Sequence, residues 1–357
     1  MEPLKSVQNQ LFREIEESST DEVKRILKDH PELINHKRID EVEQEVSTTL
    51  IEACRQGSFE IVKLLLDNGA DVSATGNIHP LIQRMVSIGI TPLNIGFSGE
   101  EFGALDDVFP LFVAAAFVFD GEDKIIKALL SAGADVNQRT AIGQKVLHII
   151  CTHSESGPRI KEFSLDDDDN APNTTKMESI KILFDHGADV NICDDRGKSP
   201  LHYAAQNGHK YFAKILLKKG ANVYLKDEFG LTALNYAATI DKPLTMALID
   251  KYSFPMEQVI QAYECVGLNA HRYEINSEML RKATLLRQQH GIPKMFGPPL
   301  QFYGFEREWE TIEELEEYGD DFDQLLILCL LARERISMEN HFDVVPESLA
   351  PYQSSPR

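Results

Sequence analysis

A run of four aspartates at residues 166–169, followed by Asn170, contains the residue types most suggestive of a metal site in this chain, because carboxylate and amide oxygens are calcium ligands. The EF-hand calcium loop alternates its ligands, has glycine at its sixth position and ends on glutamate. The segment 158–176 has none of these three features. We interpret it as an acidic loop, and we predict no metal ion or cofactor.

Other residues capable of chemistry occur in patterns that indicate structural roles. His202 lies in the sequence S-P-L-H-Y-A, where a histidine is expected to form local hydrogen bonds. The five cysteines are widely spaced and form no C-x-x-C motif, which indicates a reducing compartment rather than a disulfide or zinc framework. G-x-S-x-G, H-E-x-x-H and phosphate-binding glycine motifs are absent from the sequence. We therefore predict that the chain is not an enzyme.

Charge and hydropathy limit the partners of the chain. The net charge is -21, from 57 acidic and 36 basic residues, which argues against nucleic acid because that binding depends on Lys and Arg displacing counterions. The sequence has neither a secretory leader nor an apolar run of the length that spans a membrane. We expect no membrane contact and a cytoplasmic location, with the nucleus as a second location.

A repeating unit is visible in the middle of the chain. The sequence R-G-K-S-P-L-H-Y-A-A is followed by F-G-L-T-A-L-N-Y-A-A, so that Ser199 and Thr232 are 33 residues apart. The hydroxyl residue suits a helix N-cap, and Pro200 suits the first helical position, where its missing N–H has no partner. The period and the S/T-P-L-H-x-A signature resemble the ankyrin repeat.

The spacing of the G-A-x-V turns predicts the organisation of the domains. These turns begin at Gly69, Gly133, Gly187 and Gly220, with steps of 64, 54 and 33 residues, which leaves room for two insertions of about 31 and 21 residues. We predict an all-α ankyrin-repeat solenoid with an inserted hairpin. Its expected parts are an atypical capping repeat (1–47), ankyrin repeats with insertions near 77–108 and 154–176 (48–255), a helical segment (256–337) and a flexible tail (338–357).

The pattern changes after residue 255. Two helices are expected on either side of Asn269–Glu274, as in a helical hairpin. A capping box at Thr311 and Glu314 then begins another helix, and the segment 322–337 predicts a last apolar helix.

This C-terminal part resembles the feminization-one (fem) homolog family, in which an ankyrin stack meets tetratricopeptide-like helices. The resemblance is carried by the E-E-L-E and R-E-R-I motifs and by four segments, 264–269, 283–287, 311–316 and 332–337. It implies a tetratricopeptide-like C-terminal segment and a substrate receptor of a cullin-RING ubiquitin ligase. Such a receptor holds the C-terminus of a substrate, often ending in arginine, while other subunits perform the chemistry.

The resemblance also implies a peptide-binding site at F-S-G-E-E-F-G-A-L-D-D-V-F-P-L-F, which is similar to a hairpin between early repeats of the family. The acid that helps to read the substrate falls at Ser98, the aromatic residue falls at Phe112, and a second acid falls near His153. Glu100, Glu101, Asp106 and Asp107 offer other carboxylates for a guanidinium. The expected peptide-binding residues are Phe97, Ser98, Glu100, Glu101, Phe102, Phe112 and His153.

Two interpretations of the function remain open. The first is a receptor for protein or peptide C-termini with elongin and cullin subunits as further partners. Since the family's cullin-binding box has no counterpart in residues 338–357, this interpretation predicts a truncated product or a divergent relative. The second is a general ankyrin scaffold or inhibitor that is unrelated to ubiquitination.

Overall fold

The computed structural model describes residues 2–40, 45–78, 105–116, 121–152, 165, 175–267, 276–293 and 314. This part of the chain is mostly helical. Its α-helices are α1 (Glu2–Glu16), α2 (Thr20–Asp29), α3 (Thr49–Gln56), α4 (Phe59–Asp67), α5 (Pro110–Ala116), α6 (Glu122–Ser131), α7 (Val146–Ile150), α8 (Thr175–Asp185), α9 (Pro200–Gln206), α10 (Lys210–Lys218), α11 (Ala233–Ile240), α12 (Lys242–Lys251), α13 (Met256–Gly267) and α14 (Ser277–His290). A short 3-10 helix, Pro31–Leu33, follows α2.

Helices pair and stack within the first of two compact units, which comprises residues 1–160 and 166–222. Consecutive helices pack as pairs: α3 with α4, α5 with α6, α7 with α8, and α9 with α10. The first helices of successive pairs also pack on one another, in the order α3, α5, α7 and α9. This is the arrangement that the repeats predict, since no single pair can bury its apolar face alone.

The repeat signature determines where the first helices begin. Ser199 precedes α9, Pro200 occupies the first turn, and the backbone N–H of Ser199 donates to Nδ1 of His202 at 3.1 Å. This confirms the local hydrogen bonding expected for His202. The N–H of Lys145 likewise donates to Nδ1 of His148, at 3.0 Å.

A small antiparallel sheet was not predicted from the sequence. Its strands lie in the order β1 (Lys37–Asp40), β2 (Glu45–Thr48), β3 (Gly76–Ile78) and β4 (Leu105–Val108). Because β3 pairs with β4, the two ends of the first insertion lie side by side. The backbones of β2 and β3 approach so closely that a Cβ at Gly76 would collide with the carbonyl oxygen of Val46.

The second unit comprises residues 161–165 and 223–357. Within it α11 packs on α12 and α13, and α13 packs on α14, which confirms the predicted helical hairpin. The buried carboxylate of Glu264 joins these two helices by accepting from Nε and Nη2 of Arg287 at 2.9 and 3.1 Å. The tetratricopeptide-like character of this segment stays a prediction, and the region after residue 293 lies outside the described residues except for Glu314.

Candidate protein-binding surface

The expected peptide-binding residues fall mostly outside the described part of the chain. These are Phe97, Ser98, Glu100, Glu101, Phe102 and His153. Phe112 is described, and it lies in α5 with no exposed surface, its ring centroid 5.7 Å from that of Phe109. Asp106 and Asp107 are exposed on β4. The structure therefore places Phe112 in the core and the two aspartates at the surface.

Two loops project between the helix pairs of the first unit. The first finger (residues 133–145) joins α6 to α7, and the second finger (187–198) joins α8 to α9. Each opens on a glycine with positive φ, +93° at Gly133 and +85° at Gly187, and each has a second such glycine before the next helix. Only glycine adopts these angles without strain, so the G-A-x-V pattern predicted the turns correctly.

Asparagine side chains connect successive turns. Nδ2 of Asn137 donates to the carbonyl oxygen of Gly187 at 3.1 Å, and Oδ1 of Asn137 accepts from the backbone N–H of Asp189 at 3.2 Å. Asn191 forms the same two bonds with the turn that opens at Gly220, at 3.2 and 2.7 Å. The fingers are therefore held to one another by side-chain bonds as well as by helix packing.

We expect Asn191→Ala to lower the free energy of unfolding by about 1–2 kcal/mol, because it removes two hydrogen bonds between turns. Asn68→Ala is the control, since the bond that Nδ2 of Asn68 donates to the carbonyl oxygen of Leu64 lies within its own helix end. Urea denaturation of both variants measures the difference. Equal losses in the two variants would contradict a role for Asn191 in joining the fingers.

His148 lies buried beneath the two fingers. Its Nδ1 accepts from the N–H of Lys145, so that Nε2–H donates to the carbonyl oxygens of Ile192 and Lys198, at 3.0 and 3.1 Å. Burial lowers the pKa of His148 to about 4, which keeps the ring neutral. The ring thus forms hydrogen bonds to both fingers, and these bonds require the neutral tautomer whose proton is on Nε2.

Tyr203, which lies on α9, is a second buried polar residue that contacts the fingers. Its hydroxyl donates to Oδ2 of Asp194 at 2.7 Å and accepts from Nε2 of Gln144 at 3.0 Å. Burial and the nearby Asp194 carboxylate raise the pKa of Tyr203, so the phenol stays protonated. Oδ1 of Asp194 accepts from the N–H groups of Arg196 and Lys198, which fixes the shape of the second finger.

The buried histidines predict that stability falls as the pH falls. Burial also lowers the pKa of His209 to about 4, and its Nδ1–H donates to the carbonyl oxygen of Cys151 at 2.9 Å. Between pH 6.5 and 4 the unfolded chain binds protons at His148 and His209 that the folded chain does not, so acid favours unfolding. We expect each histidine to account for about 2 kcal/mol of lost stability between pH 7 and 5.

Urea denaturation at pH 7 and pH 5 measures this loss. His209→Gln should reduce the pH dependence, whereas His186→Gln, which replaces an exposed histidine, should leave it unchanged. A pH dependence that is the same in all three proteins would contradict the assignment.

The ends of the fingers carry exposed charged and apolar groups. Nη2 of Arg139 on the first finger donates to both carboxylate oxygens of Asp195 on the second finger, at 2.9 Å each, and both side chains are about half exposed. Ile142, beside this pair, has 39% of its surface exposed. A partly apolar patch bordered by ions is typical of protein-binding surfaces.

Each finger also carries a buried lysine, Lys145 on the first and Lys198 on the second. Nζ of Lys145 donates to the carbonyl oxygen of Cys193 at 2.6 Å, and burial, together with the Arg139 guanidinium, lowers the pKa of Lys145. Nζ of Lys198 donates to Oε1 of Gln206 at 3.2 Å. We define the finger surface as Arg139, Ile142, Asp195 and Arg196.

No sequence motif predicts this surface, although the local charge of the chain changes at its second finger. Residues 196–219 contain six basic residues and no acidic residue, while the other 30 bases and all 57 acids of the chain lie elsewhere. A plot of local charge, rather than net charge, would have found this segment. It begins in the second finger and ends with α10.

The described residues offer little for chemistry. They contain no group of three or more histidine, cysteine or acidic side chains placed to hold a metal ion. Among them Cys54, Cys151, Cys193 and Cys265 are not joined in disulfides.

Comparison with known proteins determines the family. A profile of three ankyrin repeats matches residues 170–252, and a profile of one ankyrin repeat matches residues 47–77 and 106–141. An ankyrin repeat protein of fowlpox virus (strain NVSL) is 33% identical over 135 residues, which are 34% of this chain and 70% of the viral protein. This chain belongs to the ankyrin-repeat protein family. The ankyrin repeat predicted from the 33-residue period is thereby confirmed.

Two other similar proteins match this chain over smaller fractions of their own length. The transient receptor potential cation channel subfamily A member 1 of Drosophila melanogaster is 26% identical over 187 residues, which are 48% of this chain and 14% of the channel. A second fowlpox virus ankyrin repeat protein is 55% identical over 31 residues, 9% of this chain and 6% of its own length. The similarity is to a small part of each of these two proteins.

Ankyrin repeats mediate protein interactions, and proteins of this family are typically non-catalytic. Among the described residues, none of the ankyrin or later helices is both long enough and apolar enough to cross a lipid bilayer. The chain is therefore a protein-binding module of the ankyrin class.

Proposed function

We propose that this ankyrin protein binds its partner, a protein or a peptide, on the finger surface. The proposal rests on the pairing of the two fingers, which Asn137 and His148 hold together. The ends of these fingers expose Ile142 beside an ion pair. A surface that is already ordered loses less conformational entropy on binding, so it binds more tightly for the same contacts.

We further propose that the partner is held by its C-terminus, and that the chain acts in the cytoplasm as a substrate receptor related to those of cullin-RING ligases. The resemblance of residues 264–337 to the fem homologs supports this role. A free C-terminal carboxylate is an anion, and Arg139 and Arg196 on the fingers carry the complementary charge.

Selection from a library of peptides with free C-termini tests the binding function. We expect the selection to yield ligands whose affinity falls about tenfold when Ile142 is replaced by Asp. The new carboxylate would be removed from water in the apolar contact without gaining a partner. Leu285→Asp is the control, since Leu285 is an exposed apolar residue of α14 in the second unit. Recovery of no ligand, or equal binding by both variants, would contradict the proposed surface.

Two further measurements test the finer proposal. Amidation of the selected peptides should reduce binding if the carboxylate is read, whereas unchanged binding would favour a general ankyrin scaffold. Affinity purification of the chain from cells should recover elongin and cullin subunits. Their absence from the purified complex would contradict ligase recruitment by this chain.

A further inference from the structure

Successive turns of the first unit are joined by a repeated pair of side-chain hydrogen bonds. Asn35 donates from Nδ2 to the carbonyl oxygen of Gly69 at 3.2 Å and accepts at Oδ1 from the N–H of Asp71 at 2.8 Å. Asn137 and Asn191 form the same pair of bonds with the two turns that follow the first finger. The joint between the turn at residue 69 and the first finger lacks this pair.

Ser73 takes the place of the asparagine at this joint. Its Oγ donates to Oδ1 of Asp71 at 2.7 Å, so the hydroxyl bonds within its own turn. No side chain of that turn, all of which the structure describes, bonds to the carbonyl oxygen of Gly133 or to the N–H of Asp135. Nε2 of Gln138 instead donates across the joint to the carbonyl oxygen of Ser73, at 3.3 Å. Hydrogen bonds therefore hold the base of the first finger less firmly than the base of the second.

The turn at the tip of the first finger also lacks bonds that the second finger has. Oδ1 of Asp194 fixes the second finger by accepting from two backbone N–H groups, and Asp227 does the same in the next loop, at 3.0 and 2.9 Å. Thr140 occupies this position in the first finger, and its buried Oγ1 has no partner among the described residues. The corresponding N–H groups, of Ile142 and Gln144, bond to no side chain in the described part of the chain.

Backbone bonds still give the first finger the same turn as the second. The N–H of Thr140 donates to the carbonyl oxygen of Gln144 at 2.9 Å, and the corresponding bond of the second finger measures 3.0 Å. The N–H of Ala141 donates to the carbonyl oxygen of Asp106 on β4 at 3.1 Å. The ion pair with the second finger is exposed, so it contributes little stability. The missing side-chain bonds therefore affect how firmly the turn is held rather than its shape.

From these differences we propose that the first finger is the loosely held half of the finger surface and becomes ordered when a partner binds. The inference rests on the proposed binding function and adds how the surface responds to its partner. The second finger stays fixed, while the first finger, which carries Arg139 and Ile142, becomes fixed against the ligand. Segments with few hydrogen bonds open locally at low free energy, and binding elements are drawn from such segments. Ser73 and Thr140 are the positioning residues that leave the finger loose.

Hydrogen exchange of the full chain without a partner tests the difference between the fingers. After correction for intrinsic rates, the amides of Ile142 and Gln144 should exchange about tenfold faster than the two amides that bond to Asp194. A hydrogen bond to a carboxylate is worth about that factor in a local opening equilibrium. Equal protection of the two fingers would overturn the proposal.

Two reciprocal substitutions test the joint. Ser73→Asn supplies the missing amide and should slow exchange at Asp135 and in residues 138–144 about tenfold, with residues 192–198 unchanged. The matched control, Ser253→Asn, makes the same change at an exposed residue of the second unit and should alter these rates less than about twofold. Asn137→Ser gives the second finger the joint of the first and should speed exchange in residues 187–198 about tenfold. Unchanged exchange in both Ser73→Asn and Asn137→Ser would overturn the proposal.

Affinity separates failure of the inference from failure of the proposed function. Fluorescence anisotropy with a selected peptide that needs Ile142 should show binding about threefold tighter to Ser73→Asn than to wild type, because the finger is already ordered. Equal or weaker binding by Ser73→Asn would overturn ordering on binding and leave the binding surface intact. Failure to select any peptide would contradict the proposed function, and the exchange rates would still decide whether the first finger is loosely held.

Discussion

Lys176→Met should lower the free energy of unfolding by about 3–5 kcal/mol, because it leaves a buried carboxylate without its counter-ion. Nζ of Lys176 lies 2.6 Å from Oε2 of Glu122, and the Glu122 side chain is only 1% exposed. The same ammonium donates to the carbonyl oxygen of Ala115 at 2.8 Å, and the hydroxyl of Ser179 donates to Oε1 of Glu122 at 3.2 Å. This pair joins α6 to α8, immediately after the second insertion.

The double variant Glu122→Leu/Lys176→Met shows how much of the lost stability comes from losing the ion pair and how much comes from leaving one charge buried without a partner. Replacing both partners with apolar residues is often close to neutral, so the double variant should regain most of the stability lost in Lys176→Met. Urea denaturation at pH 7 compares the three proteins. A double variant at least as unstable as Lys176→Met would contradict this explanation.

The pH dependence gives a second readout for the same site. Burial raises the pKa of Glu122 even beside Lys176, and without the lysine the carboxyl group should bind a proton more readily. A group with a raised pKa in the folded state stabilises the fold as the pH falls. The stability difference between wild type and Lys176→Met should therefore narrow from pH 7 to pH 5.

Phe112→Ala should cost about 3–5 kcal/mol of stability, because the ring is completely buried and its loss leaves a cavity. Phe112 lies on α5 and packs beside Phe109, the residue that precedes this helix. The same helix contacts α3, α6 and α7. The resemblance to fem homologs assigns this position to an aromatic residue that contacts the peptide. In this chain we expect the residue to act through the core.

Phe112→Leu distinguishes the two roles. It keeps an apolar side chain in the core and should lose only about 1–2 kcal/mol, with the selected peptides binding as they do to wild type. Thermal denaturation and fluorescence anisotropy measure stability and binding separately. A stable Phe112→Leu protein that has lost peptide binding would show that the ring reads the ligand.

The repeats could be predicted from the sequence because they depend on local rules. The turns need glycine at positive φ, which Gly133 and Gly187 supply, and α9 needs a capping residue at Ser199 followed by Pro200. The hairpin of α13 and α14 follows from apolar residues at helical spacing. In each case a few neighbouring residues determine the conformation.

The small sheet and the buried ion pairs could not be predicted in this way. The strands β1 and β2 have only four residues each, and the pairing of β2 with β3 brings together Val46 and Asn77, which are 31 positions apart. Glu122 and Lys176 resemble ordinary surface residues in sequence, and only packing of α6 on α8 shows that they are buried partners. The finger surface was not predicted for a related reason, because Arg139 and Asp195, which pair across the two fingers, are 56 positions apart in the sequence.

Hydrogen exchange with a selected peptide bound is the measurement that tests the finger surface most directly. We expect slower amide exchange on binding in residues 138–145 and 192–198, with little change in α14, which serves as the internal reference. Slower exchange confined to regions other than these two segments would contradict it.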